Sequence, residues 1–291
     1  MTFALTFGLL AALLWGATDF FIRIAGRRLG IHRSMLYAQA TGALSMGLWL
    51  VCSPSDWQVA HDARSGAWIA AIVAALTGFI ATCALYRGMQ VGRVGVVAPI
   101  AGAYGAVTAI LSWATGEPVT YPAMIGIGII IAGAVLVSEA APEEHTPQSG
   151  ASSEKSGVPW AVLSGVGFGA GFWVQGRFAA PQLGAVLPVG VYYGISTSLL
   201  LVAALVLRPA LKLNWQDAKV VTGTGTVAVL GFVALSLGLT TGHIALVTAL
   251  SSLQSAVTVG LAGLFAGERL STRQWVGVAA VVIGLAVVRL S

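Results

Sequence analysis

Charge is what this chain has least of. Charged residues make up 9% of it, against about 25% in a typical soluble domain. Hydrophobic residues make up 57%, and the mean hydropathy is +0.88. A water-soluble chain of 291 residues needs a wet surface, and this one lacks the side chains to build it. Cysteine is also scarce. Cys52 and Cys83 both fall in apolar segments, where they read as small buried hydrophobes. They define no disulfide framework and no metal-site spacing. No P-loop is present, and no stretch outside the apolar segments is large enough to hold an ATP-binding domain. No cluster has metal-ligand spacing and no catalytic constellation appears, so neither a cofactor nor an enzymatic activity is expected. The net charge of +5 and the pI near 9.6 could suggest nucleic acid. The basic residues instead sit at the ends of apolar segments and form no continuous basic face, which excludes that partner.

What the chain does have is long apolar runs. A bilayer core about 30 Å thick is crossed by about 20 apolar residues in a helix. Ten such spans are predicted, at about 3–22, 34–52, 67–89, 95–113, 122–138, 159–177, 185–207, 220–239, 244–264 and 274–289. The first has no basic region before it and is too long for a signal peptide, so it reads as a retained helix. The links at 91–94 and 240–243 allow only tight turns. The one polar, low-complexity stretch is 139–157, rich in Glu, Pro, Ser and Gly, and reads as a flexible linker.

The chain is also a loose tandem repeat. Ala106-Val107-Thr108 recurs as Ala256-Val257-Thr258, and Gly116-Glu117, Gly126 and Gly133 recur as Gly267-Glu268, Gly277 and Gly284, offset by 151. Gly16-Ala17 matches Gly169-Ala170, and Leu29-Gly30 matches Leu183-Gly184. The division is a first five-helix repeat at 1–140, a linker at 141–158 and a second repeat at 159–291. Five is odd, so the second repeat enters the membrane from the opposite side. The expected fold is an all-α integral membrane protein of ten transmembrane helices in two inverted five-helix repeats. Twelve Lys and Arg lie in loops on one side, against Arg64, Arg177 and Arg289 on the side of the termini. The positive-inside rule places both termini outside the cytoplasm.

Leu14-Trp15-Gly16-Ala17 in the first span, Val97-Ala98-Pro99-Ile100 opening the fourth, and the duplicated Gly116-Glu117 and Gly267-Glu268-Arg269-Leu270 loops resemble the drug/metabolite transporter superfamily, in particular its EamA-type ten-span branch. The resemblance covers essentially the whole chain. It implies a multi-pass carrier of the bacterial inner membrane for small solutes, often an amino-acid or metabolite exporter. It also implies a central cavity between spans 1–4 and 6–9, with spans 5 and 10 outside. Many members of that branch are regarded as having cytoplasmic termini, the opposite of the charge count here.

In the spans that the resemblance assigns to the cavity, Trp15, Tyr37, Tyr86, Tyr104, Trp173 and Tyr192 supply aromatic walls, and Gln39, Gln175 and Gln254 supply amides. A cavity for a mixed polar and apolar solute needs such walls with a few convergent polar groups. Each aromatic could equally anchor at the interface or pack in the core. Trp15 and Trp173 stand out by their related places in the two repeats. Asp19 is the only acid inside an apolar run, with Arg23 one turn on. It reads either as a proton or cation site or as a pair closing the helix end. Pro99 and Pro188 read as kinks or hinges. Glu117 and Glu268 read as structural groups that cap the following helix or fix a turn. His243 reads as a helix-end residue.

Three functions follow. The first is a secondary carrier for amino acids or similar metabolites, whose partners are a small solute, the lipid bilayer and, where transport is coupled, a proton or other ion. The second is a proton-coupled exporter of cationic drugs with Asp19 as the exchanging acid. The third is a non-transporting sensor or an intramembrane enzyme. Nothing in the chain requires more than a monomer.

Overall fold

A computed structural model describes residues 1–91, 97, 100–138, 151–207, 213–254, 256–257, 261 and 271–290. Their regular structure is helical. The α-helices are α1 (Thr2–Leu29), α2 (Ile31–Cys52), α3 (Pro54–Asp62), α4 (Ser65–Val91), α5 (Tyr104–Ala114), α6 (Tyr121–Ser138), α7 (Ala151–Val174), α8 (Ala180–Leu183), α9 (Val186–Leu207), α10 (Trp215–Leu239), α11 (Ile244–Ser251) and α12 (Thr272–Leu290). Among the described residues, six stretches are long and apolar enough to cross a membrane: Thr2–Asp19, Arg33–Cys52, Ser65–Gly88, Gly157–Leu183, Val186–Val206 and Trp215–Leu239. Ile100–Ala114, Tyr121–Leu136 and Thr272–Val288 are shorter apolar helices, and α11 opens the remaining span. Large apolar side chains such as Leu44, Val51, Leu205 and Val206 point outward, as lipid-facing residues should. Thr108, Ser236 and Thr248 are fully buried and hydrogen-bonded. In lipid this is the stable arrangement, because polar groups find partners only inside the bundle.

The packing shows that the repeats are inverted. A methyl group placed on Gly126 would lie 2.9 Å from the Gly284 carbonyl oxygen, and one on Gly133 would lie 2.7 Å from that of Gly277. The helices α6 and α12 therefore run antiparallel, although each is the fifth span of its repeat. Equivalent helices can oppose each other in this way only when one repeat is turned over. The same exchange recurs nearer the centre. Gly16 in α1 packs on Val257 and the Gln254 carbonyl. Its counterpart Gly169 in α7 packs on Val107 and the Tyr104 carbonyl.

The match between repeats shifts from an offset of 153 at Gly16 and Gly169 to 154 at Gly30 and Gly184. The structure supplies the extra residue: α7 passes into a π-helical turn, Gln175–Ala179, whereas the matching part of α1 is plain α-helix. A π-turn is one residue inserted into an α-helix. Gly30 and Gly184 then close their helices at φ of 77° and 67°, a left-handed conformation that favours glycine.

The glycines at 165, 167, 169 and 171 divide between two neighbours. Gly165 and Gly169 face Ile100, Tyr104 and Val107. Gly167 and Gly171 face Ala81, Thr77 and Ala74 of α4. Each pair is one turn apart on its own face. The segment is close-packed on two sides at once, which explains the alternation.

Four details differ from the sequence reading. The helix α7 starts at Ala151, inside the stretch read as linker, because Ala151-Ser-Ser-Glu-Lys155 has no helix breaker; residues 139–150 lie outside the described residues. A short helix, α3, follows the second span, with Pro54 in its first turn and no buried residue. It is tied down by Trp57 Nε1 donating to the Leu50 carbonyl at 2.8 Å and Trp49 Nε1 to Asp56 Oδ2 at 3.1 Å. Cys52 and Cys83 are exposed on the outside of the bundle rather than buried; an apolar thiol is as compatible with lipid as with a core. The fourth and ninth spans are interrupted rather than continuous. Turns fall at Ala103, just before α5, and at Ser252–Leu253, just after α11. These places match at an offset of 150. In the second, Ser251 and Ser252 bond back to the Thr248 and Ala249 carbonyls at 3.0 and 2.6 Å, a pattern that bends helices.

Candidate functional site

Seven rings from five spans form one continuous aromatic group. Phe172 in α7 is its hub. Its centroid lies 5.4 Å from Tyr104, 5.8 Å from Trp15, 5.9 Å from Phe168 and 6.1 Å from Phe232. Phe232 in α10 in turn meets Tyr192 at 5.0 Å and Tyr193 at 6.2 Å. These separations suit edge-to-face and offset stacking. Glycines make the room. A methyl group on Gly231 would lie 2.6 Å from Trp15 Cδ1, and one on Gly42 would collide with the Tyr193 ring. Trp15 is held in place by Nε1 donating to the Ala228 carbonyl at 3.2 Å.

A polar edge borders the rings. Gln39 Nε2 donates to the Tyr192 hydroxyl at 3.1 Å, which lies 3.1 Å from Thr82 Oγ1. Tyr104 donates its hydroxyl to Ser251 Oγ at 3.0 Å; the direction is fixed because Ser251 gives its own proton to Thr248. This bond joins the interrupted spans of the two repeats. Gln175, on the π-turn, is buried and donates to Ser236 Oγ at 3.0 Å. Asp19 is half-buried one turn beyond Trp15. It accepts a long bond, 3.5 Å, from Gln254 Nε2 and lies within electrostatic reach of Tyr86 and Tyr104. The side chain of Arg23 lies outside the described residues.

The structure thus brings Trp15, Asp19, Tyr86, Tyr104, Gln175 and Tyr192 to the centre of the bundle. It sets two expected residues apart. Trp173 follows the hub Phe172 and is turned about 100° round the helix. Its Nε1 donates to Thr115 Oγ1 at 3.2 Å, and its ring packs edge-on to Phe178 at 5.4 Å. The counterpart of Trp15 at the 153 offset is Phe168, not Trp173. Tyr37 packs beside Leu29 and Val221, with Leu213 and Val220, in a small separate cluster. The centre also uses Phe168, Phe172, Phe232, Thr82 and Ser251, which sequence reasoning passed over. Spacing could have flagged the first two, since Phe168 and Phe172 are one turn apart in a glycine-rich span.

Glu117 has a different duty from the one expected. It caps α11 in the other repeat, accepting from the Ala245 amide at 3.2 Å on Oε1 and 3.4 Å on Oε2. The following helix, α6, is served by Thr120, whose Oγ1 accepts from the Ala123 amide at 3.3 Å. Burial pushes the Glu117 carboxyl above the usual carboxylate range, opposed by its hydrogen bonds and by nearby His243. His243 sits at the N-cap of α11, the helix-end position expected. Pro188 falls in the first turn of α9, where it breaks no helical hydrogen bond. Pro99 and Glu268 lie outside the described residues. No group of three or more His, Cys, Asp or Glu that could hold a metal ion occurs among the described residues.

A family model described as the EamA-like transporter family matches residues 2–139 and 155–290. Sixteen chains of solved structures match as well. One, titled only "Crystal structure of protein", aligns with a TM-score of 0.78 at 17% identity, covering 99% of this chain and 96% of that one. At that identity the likeness is one of fold. No curated protein matches.

Proposed function

This chain belongs to the EamA-like transporter family, and we propose that it is a secondary exporter of amino acids or related small metabolites. The family makes it a multi-pass membrane transporter of the drug/metabolite superfamily. On our reading it sits in a bacterial inner membrane, with its termini outside the cytoplasm. A reporter active only in the cytoplasm, fused after Ser291, should therefore stay silent. The repeats are 1–140 and 159–291, joined by 141–158, whose end already belongs to α7.

One observation carries the reading. The aromatic group is built by both repeats, beside the fourth and ninth spans, which pack on each other and are interrupted at matching places. Interrupted helices at a repeat interface are where carriers of this architecture bind solutes. Apolar walls with a few placed polar groups suit a small metabolite. Rocking one half against the other would open this centre to each side in turn, with Trp15, Asp19, Tyr86, Tyr104, Gln175 and Tyr192 among the solute contacts. The test is counterflow of labelled amino acids in proteoliposomes. Trp15→Ala should fold, by its elution and thermal unfolding, and lose exchange. Exchange equal to wild type would count against the reading.

A second reading is supported by Asp19, a carboxylate held inside α1 by Gln254 and near two tyrosines. Here the protein exchanges protons for organic cations. Asp19→Asn should then abolish the pH dependence of transport. A pH profile that survives the substitution would rule this reading out.

A further inference from the structure

Hydrogen-bond direction can be followed atom by atom at the Tyr192 edge of the aromatic group. Thr82 Oγ1 gives its proton to the Gly78 carbonyl at 2.9 Å. It can therefore only accept from Tyr192, 3.1 Å away. The Tyr192 proton is used there, so the tyrosine oxygen must accept from Gln39, 3.1 Å away on the other side. The amide of Gln39 is thereby locked with its nitrogen towards Tyr192. Its carbonyl oxygen, Oε1, is left buried with no partner, in a side chain that is 7% exposed. A buried acceptor without a donor is costly, and each one in a native structure calls for an explanation.

We infer that Gln39 is a specificity-determining residue: its Oε1 accepts an N–H from the ammonium group of the solute held at the aromatic group. This rests on the reading of that group as the solute site. An amine fits better than a hydroxyl for two reasons. The faces of Tyr192, Tyr193, Phe232 and Trp15 attract a cation, and the Asp19 carboxylate lies in the same part of the bundle, within reach of Tyr86. Tyr86 in turn lies near Tyr192 and Tyr193. The solute class is a primary amine on a flat apolar body. The Gln39–Tyr192–Thr82 chain spans α2, α9 and α4, so the acceptor is positioned by both repeats.

The test uses two probes on the purified full-length chain. Phenethylamine and its N,N,N-trimethyl analogue share a ring and a positive charge, but only the first has N–H donors. Thermal shift and calorimetry should show wild type binding the amine about tenfold more tightly, the worth of one good hydrogen bond. Gln39→Met, similar in shape but without the acceptor, should bind both alike. Tyr192→Phe frees the amide to turn and should narrow the preference; it carries the test if Gln39→Met does not fold. A wild type that binds the two probes equally, or binds neither, overturns the inference, as does a preference that survives Gln39→Met. Equal binding that is lost in Trp15→Ala would leave the central solute site standing and remove only the donor contact. Binding that persists in Trp15→Ala would remove the site itself.

Discussion

The two repeats share a scaffold and differ in chemistry. Their glycines are interchangeable. A methyl group on Gly133 would lie 2.7 Å from the Gly277 carbonyl oxygen, and one on its counterpart Gly284 would lie 2.7 Å from that of Gly126. Their central side chains are not. Where the first repeat has Trp15 and Asp19, the second has Phe168 and Phe172 at the 153 offset. Duplication therefore fixes how the halves pack, while substitution at a few inward positions makes a lopsided site with an acid on one wall and a ring on the other. Backbone contact through small residues depends on the scaffold. On the proposed reading, solute recognition depends on the lopsidedness.

The largest expected effect comes from forcing the chemistry to match. Phe172→Asp copies the acid of α1 into the hub of the rings. It buries a charge with no partner and should destabilise the fold severely, by about 4 kcal/mol or more. Thermal unfolding in detergent measures this; a loss below about 1 kcal/mol would mean that the hub is open to water.

A smaller effect is expected at the scaffold. Gly133→Leu and Gly284→Leu each push a side chain into a facing backbone. Each should cost about 1–3 kcal/mol, and the two losses should agree within about 0.5 kcal/mol. Clearly unequal losses in the same thermal assay would show that the α6–α12 seam is not symmetric.

The smallest effect concerns Glu117, where the first repeat caps a helix of the second. Glu117→Ala should cost about 1 kcal/mol, the usual worth of an N-cap. Its pH dependence has a definite sign. Burial raises the carboxyl above its unfolded value, so the folded state binds the proton more tightly. The stability linked to this group is full below the unfolded pKa, near 4.3, and declines as pH rises through the raised value. Glu117→Gln cannot titrate and should flatten that slope of melting temperature against pH. An unchanged slope would assign it to other groups.

Much of the scaffold was legible in the sequence, because its signals are long or repeated. Apolar runs located the spans, and the spaced Gly126, Gly133, Gly277 and Gly284 marked the duplication. The π-turn at Gln175–Ala179 was visible only as a one-residue change of offset, which has no meaning until backbone hydrogen bonds give it one. The turn at Ser252–Leu253 was hidden because its span carries no proline, whereas the one at Ala103 lies four residues past Pro99, which reads as a kink or hinge. The site was legible where residues were polar or unusual: Asp19, Gln39, Trp15 and Tyr104 all drew notice. Phe168, Phe172 and Phe232 did not, since a phenylalanine taken singly in an apolar run is indistinguishable from a lipid-facing residue, and only the one-turn spacing of the first two sets them apart. Trp173 drew notice by its type, yet which way a helical side chain faces is set by a single step of about 100°.

The central claim is that one solute site is shared by both repeats at the aromatic group. It is tested most directly by the melting-temperature shift that a transported solute gives, since a ligand of the folded state raises its stability. The shift should be measured in wild type, Trp15→Ala, Phe172→Leu and the lipid-facing control Leu44→Ala. The account predicts that the shift disappears in Trp15→Ala and Phe172→Leu alike, one from each repeat, and persists in Leu44→Ala. A full shift retained in either of the first two would contradict it.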